Sequence, residues 1–185
     1  MNLNTKFCDN FDKDKHVRPV SISSHYLFYL SFDFNATANA ATLWQINEKE
    51  KIVNCIMEFP PMLSLKLQCD EINRILDEKK ISKVILSGDS DSENYPLWDI
   101  VKNKFNVKYL NVEVANSNLR DDASFYLVRD VFKLFNVYID EKCTYLINDC
   151  STAIYNDSTN NHYLDTMRYF FHNILFKLVR SEQYV

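Results

Sequence analysis

Apolar runs separated by polar turns extend from His25 onward and predict a series of strands and helices. HYLFYLSFDFN predicts a buried strand that ends near Asp33, and ATLWQIN and KIVNCIMEF predict two more, joined by the charged turn EKEK. Strand patterns linked by a short polar turn are typical of a hairpin. We therefore expect three antiparallel strands, the third closed by Pro60 and Pro61.

The rest of the chain alternates helices with short strands. LSLKLQCDEINRILDEKK has helical spacing, and the nearly wholly apolar KVILS predicts a central parallel strand. A helix at PLWDIVKNKF, a strand at VKYLNVEV, a helix over 119–135, a strand at VYI and two final helices follow, the last from about His162. This order predicts an α/β domain whose mixed central sheet has three antiparallel and then parallel strands, flanked by helices. It favours the ribonuclease H-like fold, because a Rossmann-type sheet needs a crossover helix between its first strands.

Composition and length suit one globular domain. The chain has 185 residues, of which 46% are hydrophobic, and no apolar run approaches the roughly 18 residues of a membrane span. Residues 1–24 mix charge, Asn and Ser, and predict an N-terminal arm or interdomain linker before a domain over 25–185. Five cysteines without C-x-x-C spacing favour reduced, buried thiols in a cytoplasmic protein. The single glycine, Gly88, indicates a positive φ or a close approach of two backbones.

Net charge bears on the choice of partner. At −4 it counts against a nucleic-acid ligand, since domains that bind nucleic acid are more often basic. A metal site built from carboxylates nevertheless concentrates negative charge that bound cations offset. Global charge therefore leaves a nuclease open.

Three aspartates stand where this fold collects its reactive groups. Asp33 ends the first strand and Asp89 ends the fourth, its expected neighbour, so their carboxylates should lie close together at one sheet edge. Asp165 lies early in the last helix, where it can point back at that edge. Alone, Asp33 is also explained as a strand cap, Asp89 as part of an acidic turn and Asp165 as a residue favoured by the helix dipole. Together they suit two Mg²⁺ ions roughly 4 Å apart that hydrolyse a phosphodiester.

Neighbouring residues leave alternatives open. Asp91 and Glu93 follow Asp89 in the same loop and are candidate supporting groups, or the true ligand in its place. His162 precedes Asp165 by three residues, one helical turn away, and is either a supporting group or an ordinary residue at a helix start.

Three stretches resemble the C-terminal nuclease domain of the large terminase subunit of tailed bacteriophages, the motor that packages and cuts viral DNA. YLSFDFN resembles its first strand, VILSGDSDSEN its second acidic motif, and NNHYLDTMRYFF its closing motif. The likeness covers about residues 26–180. The resemblance implies a ribonuclease H-like endonuclease that cuts double-stranded DNA with Mg²⁺ or Mn²⁺, held by Asp33, Asp89 and Asp165.

The resemblance also implies binding partners and a cellular location. Its partners would be DNA, an ATPase domain of the same or a companion chain, and the portal protein, in the cytoplasm of an infected host and with no membrane. The acidic loop lacks the second glycine of the family's motif, which keeps Asp91 in competition with Asp89. A chain with one glycine has no G-x-x-x-x-G-K-[ST], so we expect no ATP hydrolysis.

Basic residues after the acidic loop and around the long helix are the candidate DNA contacts: Lys102, Lys104, Arg120 and Arg129. Each lysine is also explained as part of a solvated helix face. Two other functions remain open. One is a different ribonuclease H-like nuclease, a junction resolvase or hybrid cutter, whose fourth acidic residue would be Glu58 or Glu71. The other is an inactive module that binds a portal or capsid protein through its acidic, aromatic-rich surface.

Overall fold

A mixed β-sheet forms the centre of the domain. The computed structural model describes residues 5–35, 38–89, 92–105, 109–112, 121–155 and 161–183. Within these ranges the sheet has six strands in the order β5-β4-β1-β2-β3-β6. Their bounds are β1 Leu27–Asp33, β2 Asn39–Asn47, β3 Ile52–Met62, β4 Val84–Gly88, β5 Tyr109–Val112 and β6 Asn136–Ile139.

The strand directions confirm the predicted fold class. β1, β2 and β3 pair antiparallel as a meander. β4 is parallel to β1, β5 to β4, and β6 to β3. This is the ribonuclease H-like arrangement that the element order favoured, with β1 and β4 as neighbours.

Helices lie on both faces of the sheet. A short 3₁₀ turn at Ser92–Asn94 precedes α3, and a π turn at Phe171–Leu175 joins α6 to α7. The helices are α1 Lys13–His16, α2 Leu65–Glu78, α3 Tyr95–Phe105, α4 Asp121–Leu134, α5 Thr144–Thr152, α6 His162–Phe170 and α7 Phe176–Gln183. No helix in the described ranges is long and apolar enough to span a membrane.

The third strand runs past its two prolines. The sequence predicted that Pro60 and Pro61 close it, but β3 continues to Met62, which pairs with Asn39. β3 pairs with β6 only over Ile52–Cys55, so the prolines lie beyond that partner. Because a proline lacks only the N–H donor, it is tolerated where no strand lies alongside.

The side chains of β1 alternate between the two faces of the sheet. Phe28, Leu30 and Phe32 pack in the apolar cluster under α2 and α3. Ser31 lies on the opposite face, where its hydroxyl donates to the α6 backbone. Side chains of a strand alternate, so Asp33 shares the α6 face with Ser31.

The N-terminal segment packs on the domain. Phe7 and Cys8 are buried in the cluster that covers the α6 face. The Phe7 N–H donates to the Ala153 carbonyl at 2.8 Å, and Val17 bridges to Ile139 of β6. A domain boundary at residue 24 stays a prediction, but residues 5–18 contact the body of the fold. All five cysteines are buried and free.

His16 makes stability depend on pH through this segment. Its ring is buried between Phe11 and Phe132, and burial lowers its pKa below the usual 6.5. The unfolded chain therefore binds more protons, so stability is lost as the pH falls below 6.5. Urea unfolding at about pH 7.5 and about pH 5.5 should show a smaller acid loss in His16→Gln than in the wild type.

The exposed His25 provides the matched control. His25→Gln should lose as much stability in acid as the wild type. An acid loss in His16→Gln equal to that of the wild type would contradict this origin.

Candidate metal centre

The ends of two parallel strands form the base of the site. Asp33 is the last residue of β1 and is only 5% exposed. Phe32 pairs with Gly88 at the end of β4, and the Asp89 N–H donates to the Phe32 carbonyl at 3.2 Å. The predicted neighbourhood of the two strand ends is therefore confirmed.

Close backbone approach explains the single glycine. Gly88 has φ +153°, a conformation that side chains with a Cβ rarely adopt. A Cβ at this position would lie 2.4 Å from the Phe32 carbonyl oxygen and 3.0 Å from the Trp98 ring. Both a positive φ and a close backbone approach are therefore present at Gly88, and the close approach is to the backbone of β1.

Helix α6 lies across β1 and β2 because Thr166 binds both strands. The Ser31 hydroxyl donates to the Thr166 carbonyl at 2.8 Å, and the Thr42 hydroxyl donates to the Thr166 hydroxyl at 2.8 Å. Asp149 of α5 accepts from the first N–H groups of α6, those of Tyr163 at 3.1 Å and Leu164 at 3.2 Å. The Thr166 contacts fix the position of α6 on the sheet, and the Asp149 contacts fix where the helix begins.

Further along, the π turn holds the end of β4. The Asn173 amide nitrogen donates to the Ser87 hydroxyl at 2.8 Å and lies 3.4 Å from the Gly88 carbonyl oxygen. The strand ends that precede Asp33 and Asp89 are therefore both bound by one continuous helical segment.

Asp33, His162 and Asp165 come together at this edge. One potential ligand atom from each lies within 4.8 Å of the others, and His162 Nδ1 is 2.9 Å from Asp33 Oδ2. Two carboxylates and an imidazole are suitable ligands for Mn²⁺, and carboxylate oxygens also suit Mg²⁺. The donor set therefore fits a divalent cation. The sequence predicted His162 beside Asp165, but its contact with Asp33 depends on how α6 crosses β1.

Burial and charge act in opposite directions within this group. Burial raises the pKa of Asp165 to about 6, although the Arg168 guanidinium favours its ionised form. The hydrogen bond to Asp33 raises the pKa of His162. Carboxylates that share a partly dry site disfavour one another's ionisation, and a bound cation reverses that preference.

Asp89 lies beside this group rather than within it. It is half-buried, and its Oδ2 accepts from the Asn94 amide at 2.8 Å. Tyr169 of α6 connects it to the others: burial and then the charges of Asp33, Asp89 and Asp165 raise the pKa of its phenol. The charges of all three predicted aspartates therefore act on one tyrosine that the sequence pattern did not single out.

A groove of about 750 Å³ opens from Asp89 between α2 and α3. Its walls carry the amides of Asn35, Asn39 and Asn94, together with apolar side chains and one cation, Lys66. Leu63 on its wall is 79% exposed. Because Asp89 lines the groove, the groove begins at the edge of the sheet where β1 and β4 end.

Comparisons with solved structures identify the architecture. A large terminase from a thermophilic bacteriophage, in complex with ADP, has 17% identity and a TM-score of 0.72 over 94% of this chain. The P22 large terminase nuclease domain has 10% identity and a TM-score of 0.68, with 95% of this chain and 97% of that one covered. The chain has the fold of a large terminase nuclease domain. No protein-family model and no curated protein sequence matches it.

A third structure with the terminase nuclease fold was solved with a metal ion. The bacteriophage SPP1 large terminase nuclease domain with bound Mn is 14% identical, with a TM-score of 0.56, 85% of this chain covered and 94% of that one. The chain spans about half of the thermophilic phage's terminase, 46% of its length, and nearly all of the isolated P22 nuclease domain.

The other candidate site residues have varied surroundings. Glu93 lines the groove, and Lys102 lies on α3. Lys104 binds Asp70 at 2.6 Å. Asp91 and Arg120, two further candidates, lie outside the described residues.

Arg129 holds the N-terminal segment. Its Nε lies 3.2 Å from Asp9 Oδ2, an ion pair whose angle is too poor for a hydrogen bond, and its guanidinium lies 5.4 Å from the centre of the Phe125 ring. The Asn10 amide also donates to its carbonyl at 3.3 Å. A role in binding DNA stays a prediction for Arg129 and for the three other basic candidates.

The two candidates for a fourth acidic residue have other partners. Glu58 accepts from the Tyr145 and Leu146 N–H groups at 2.9 Å each and so caps α5. Glu71 binds Arg74 on the exposed face of α2. Neither carboxylate belongs to the group formed by Asp33, His162 and Asp165.

Proposed function

We propose that this chain is a metal-dependent endonuclease domain of the large-terminase type, which hydrolyses phosphodiester bonds of double-stranded DNA. The observation that carries the proposal is the group of Asp33, His162 and Asp165 at the carboxyl edge of a ribonuclease H-like sheet. The SPP1 terminase nuclease domain, which shares this fold, was solved with bound Mn.

Each acidic residue has a proposed role. Asp33 and Asp165 hold one cation, and Asp89, at the end of the adjacent strand, supplies the ligand for a second. His162 orients the Asp33 carboxylate through their 2.9 Å contact. When bound, Mg²⁺ or Mn²⁺ supplies Lewis-acid polarisation of a phosphoryl oxygen and lowers the pKa of a water molecule. Such chemistry needs no Ser or Cys nucleophile from the protein.

The groove beside Asp89 is the proposed path of the substrate strand away from the scissile phosphate. Its amides can bond to bases and sugars, its apolar walls can contact base faces, and Lys66 can contact a phosphate. Lys102, Lys104, Arg120 and Arg129 stay candidate contacts for the rest of the duplex. An ATPase domain, a portal protein and the host cytoplasm also stay proposals.

Incubation of supercoiled plasmid with the purified chain tests the proposal. We expect nicking and linearisation with Mn²⁺ or Mg²⁺, and intact plasmid with EDTA. Plasmid that stays intact with Mn²⁺ and excess protein would contradict it and favour the inactive, protein-binding module. Faster cleavage of an RNA·DNA hybrid or a four-way junction would instead favour another ribonuclease H-like nuclease.

A further inference from the structure

Arg168 joins three parts of the chain beside the candidate metal centre. Its Nη1 donates to Asp165 Oδ1 at 2.6 Å, and its Nε donates to the Ser124 hydroxyl at 2.7 Å. Its guanidinium lies 5.0 Å from the centre of the Phe7 ring. The Arg168 side chain is only 17% exposed, so these contacts are largely shielded from water.

The contact with Asp165 restricts a carboxylate of the metal group. Because Arg168 binds Oδ1, rotation of the Asp165 carboxylate is hindered and its orientation toward Asp33 and His162 is restricted. A guanidinium can hold two partners in one plane, whereas an ammonium is a point charge that cannot reproduce both contacts. Ser124 is buried and lies on α4, which fixes the other side of the guanidinium.

Phe7 brings the N-terminal segment into this arrangement. The segment is anchored by two backbone hydrogen bonds of 2.8 Å, from Phe7 to Ala153 and from Tyr155 to Thr5. The buried Phe7 ring also packs edge-on against Phe125 of α4. Phe7 therefore covers the guanidinium while α4 and α6 hold its nitrogen atoms.

We propose that Arg168 is a positioning residue for Asp165, and that the segment around Phe7 supports the metal site through it. This inference rests on the proposed function, since it assigns the contact a role in binding a divalent cation. The N-terminal segment is then part of the site's support rather than only the arm or linker that the sequence predicted. Loss of the Arg168 guanidinium, or of the Phe7 ring that packs on it, should weaken cation binding while the ligand residues themselves stay in the chain.

Mn²⁺ affinity, measured by calorimetry alongside cleavage rate as a function of Mn²⁺ concentration, tests the inference. Arg168→Gln should weaken Mn²⁺ binding about 10- to 100-fold, as is usual when a group that orients a metal ligand is lost. Arg168→Lys should restore only part of that affinity. Phe7→Leu and Ser124→Ala should each weaken it by several-fold, and excess Mn²⁺ should recover much of the rate in all four variants.

Arg74→Gln is the matched control, because Arg74 also binds a carboxylate three residues earlier on its own helix, Glu71, on the exposed face of α2 and outside the metal group. Its Mn²⁺ affinity should equal that of the wild type. Unchanged affinity in Arg168→Gln, with a loss in Asp33→Asn, would overturn the inference but not the proposed function. Failure of the wild type to bind Mn²⁺ would overturn the proposed function itself.

If Arg168→Gln does not fold, the Mn²⁺ affinities of Phe7→Leu and Ser124→Ala test the inference instead. Unchanged affinity in both variants would overturn it.

Discussion

Asp33→Asn should lower the rate of Mn²⁺-dependent DNA cleavage by about 10³-fold. Metal-ion stabilisation of a phosphodiester transition state is worth several kcal/mol, and each 1.36 kcal/mol changes a rate about tenfold. Asparagine keeps the shape of the buried side chain but removes the charge that holds the proposed cation and binds His162. Initial rates of plasmid nicking at saturating DNA provide the measurement.

Asp140→Asn is the control for loss of a buried aspartate. Asp140 is 9% exposed, accepts from the backbone of Val20 at 2.9 Å, and follows β6, which is separated from β1 by two strands of the sheet. Its variant should cleave at close to the wild-type rate under conditions where both are folded. Cleavage by Asp33→Asn at the wild-type rate would remove Asp33 from the metal site, even if the protein remained a nuclease.

Gly88→Ala should destabilise the fold by about 3 kcal/mol, because an unfavourable backbone conformation and overpacking each cost about 1–3 kcal/mol. The added methyl group would meet the Phe32 backbone of β1 and the Trp98 ring. Relief of that clash requires β4 to move away from β1, which would separate Asp89 from Asp33. Cleavage should therefore fall further than the loss of folded protein explains. Urea unfolding and cleavage assays on the same preparation measure both effects.

The neighbouring Ser87→Ala separates a general effect of substitution in β4 from the effect of close approach. Ser87 is buried and accepts from Asn173 at 2.8 Å, so its loss should cost about 1 kcal/mol. Equal stabilities for Gly88→Ala and the wild type would show that β4 can shift without strain.

Local patterns were sufficient to predict the sheet and the positions of Asp33 and Asp165 at one edge of it. The run of large apolar residues up to Asp33 is long enough to identify a buried strand, and the order of elements then places that strand beside the one ending at Gly88. Three-residue spacing put His162 on the same side of α6 as Asp165. These features depend on neighbours in sequence or on topology, both of which a single chain reveals.

Contacts between distant parts of the chain could not be predicted. Phe7 is an isolated aromatic residue in a polar stretch, so no periodicity indicates that it covers Arg168. Tyr169 is affected by the charges of three carboxylates that come from two strand ends and one helix, which no local pattern in the sequence relates to one another. The sequence likewise left Asp89 and Asp91 as alternatives, because the choice depends on the conformation of a loop rather than on a pattern.

The π turn restricts local opening of the site. Thr166 of α6 binds Ser31 of β1, and Asn173 of the π turn binds Ser87 of β4, so one helical segment holds both strand ends. Local fluctuations of a loop cannot separate two strands that are fixed in this way. Amide hydrogens at the ends of β1 and β4 should therefore exchange with solvent only when the whole domain unfolds, and a cation bound there should require little prior rearrangement of its ligands.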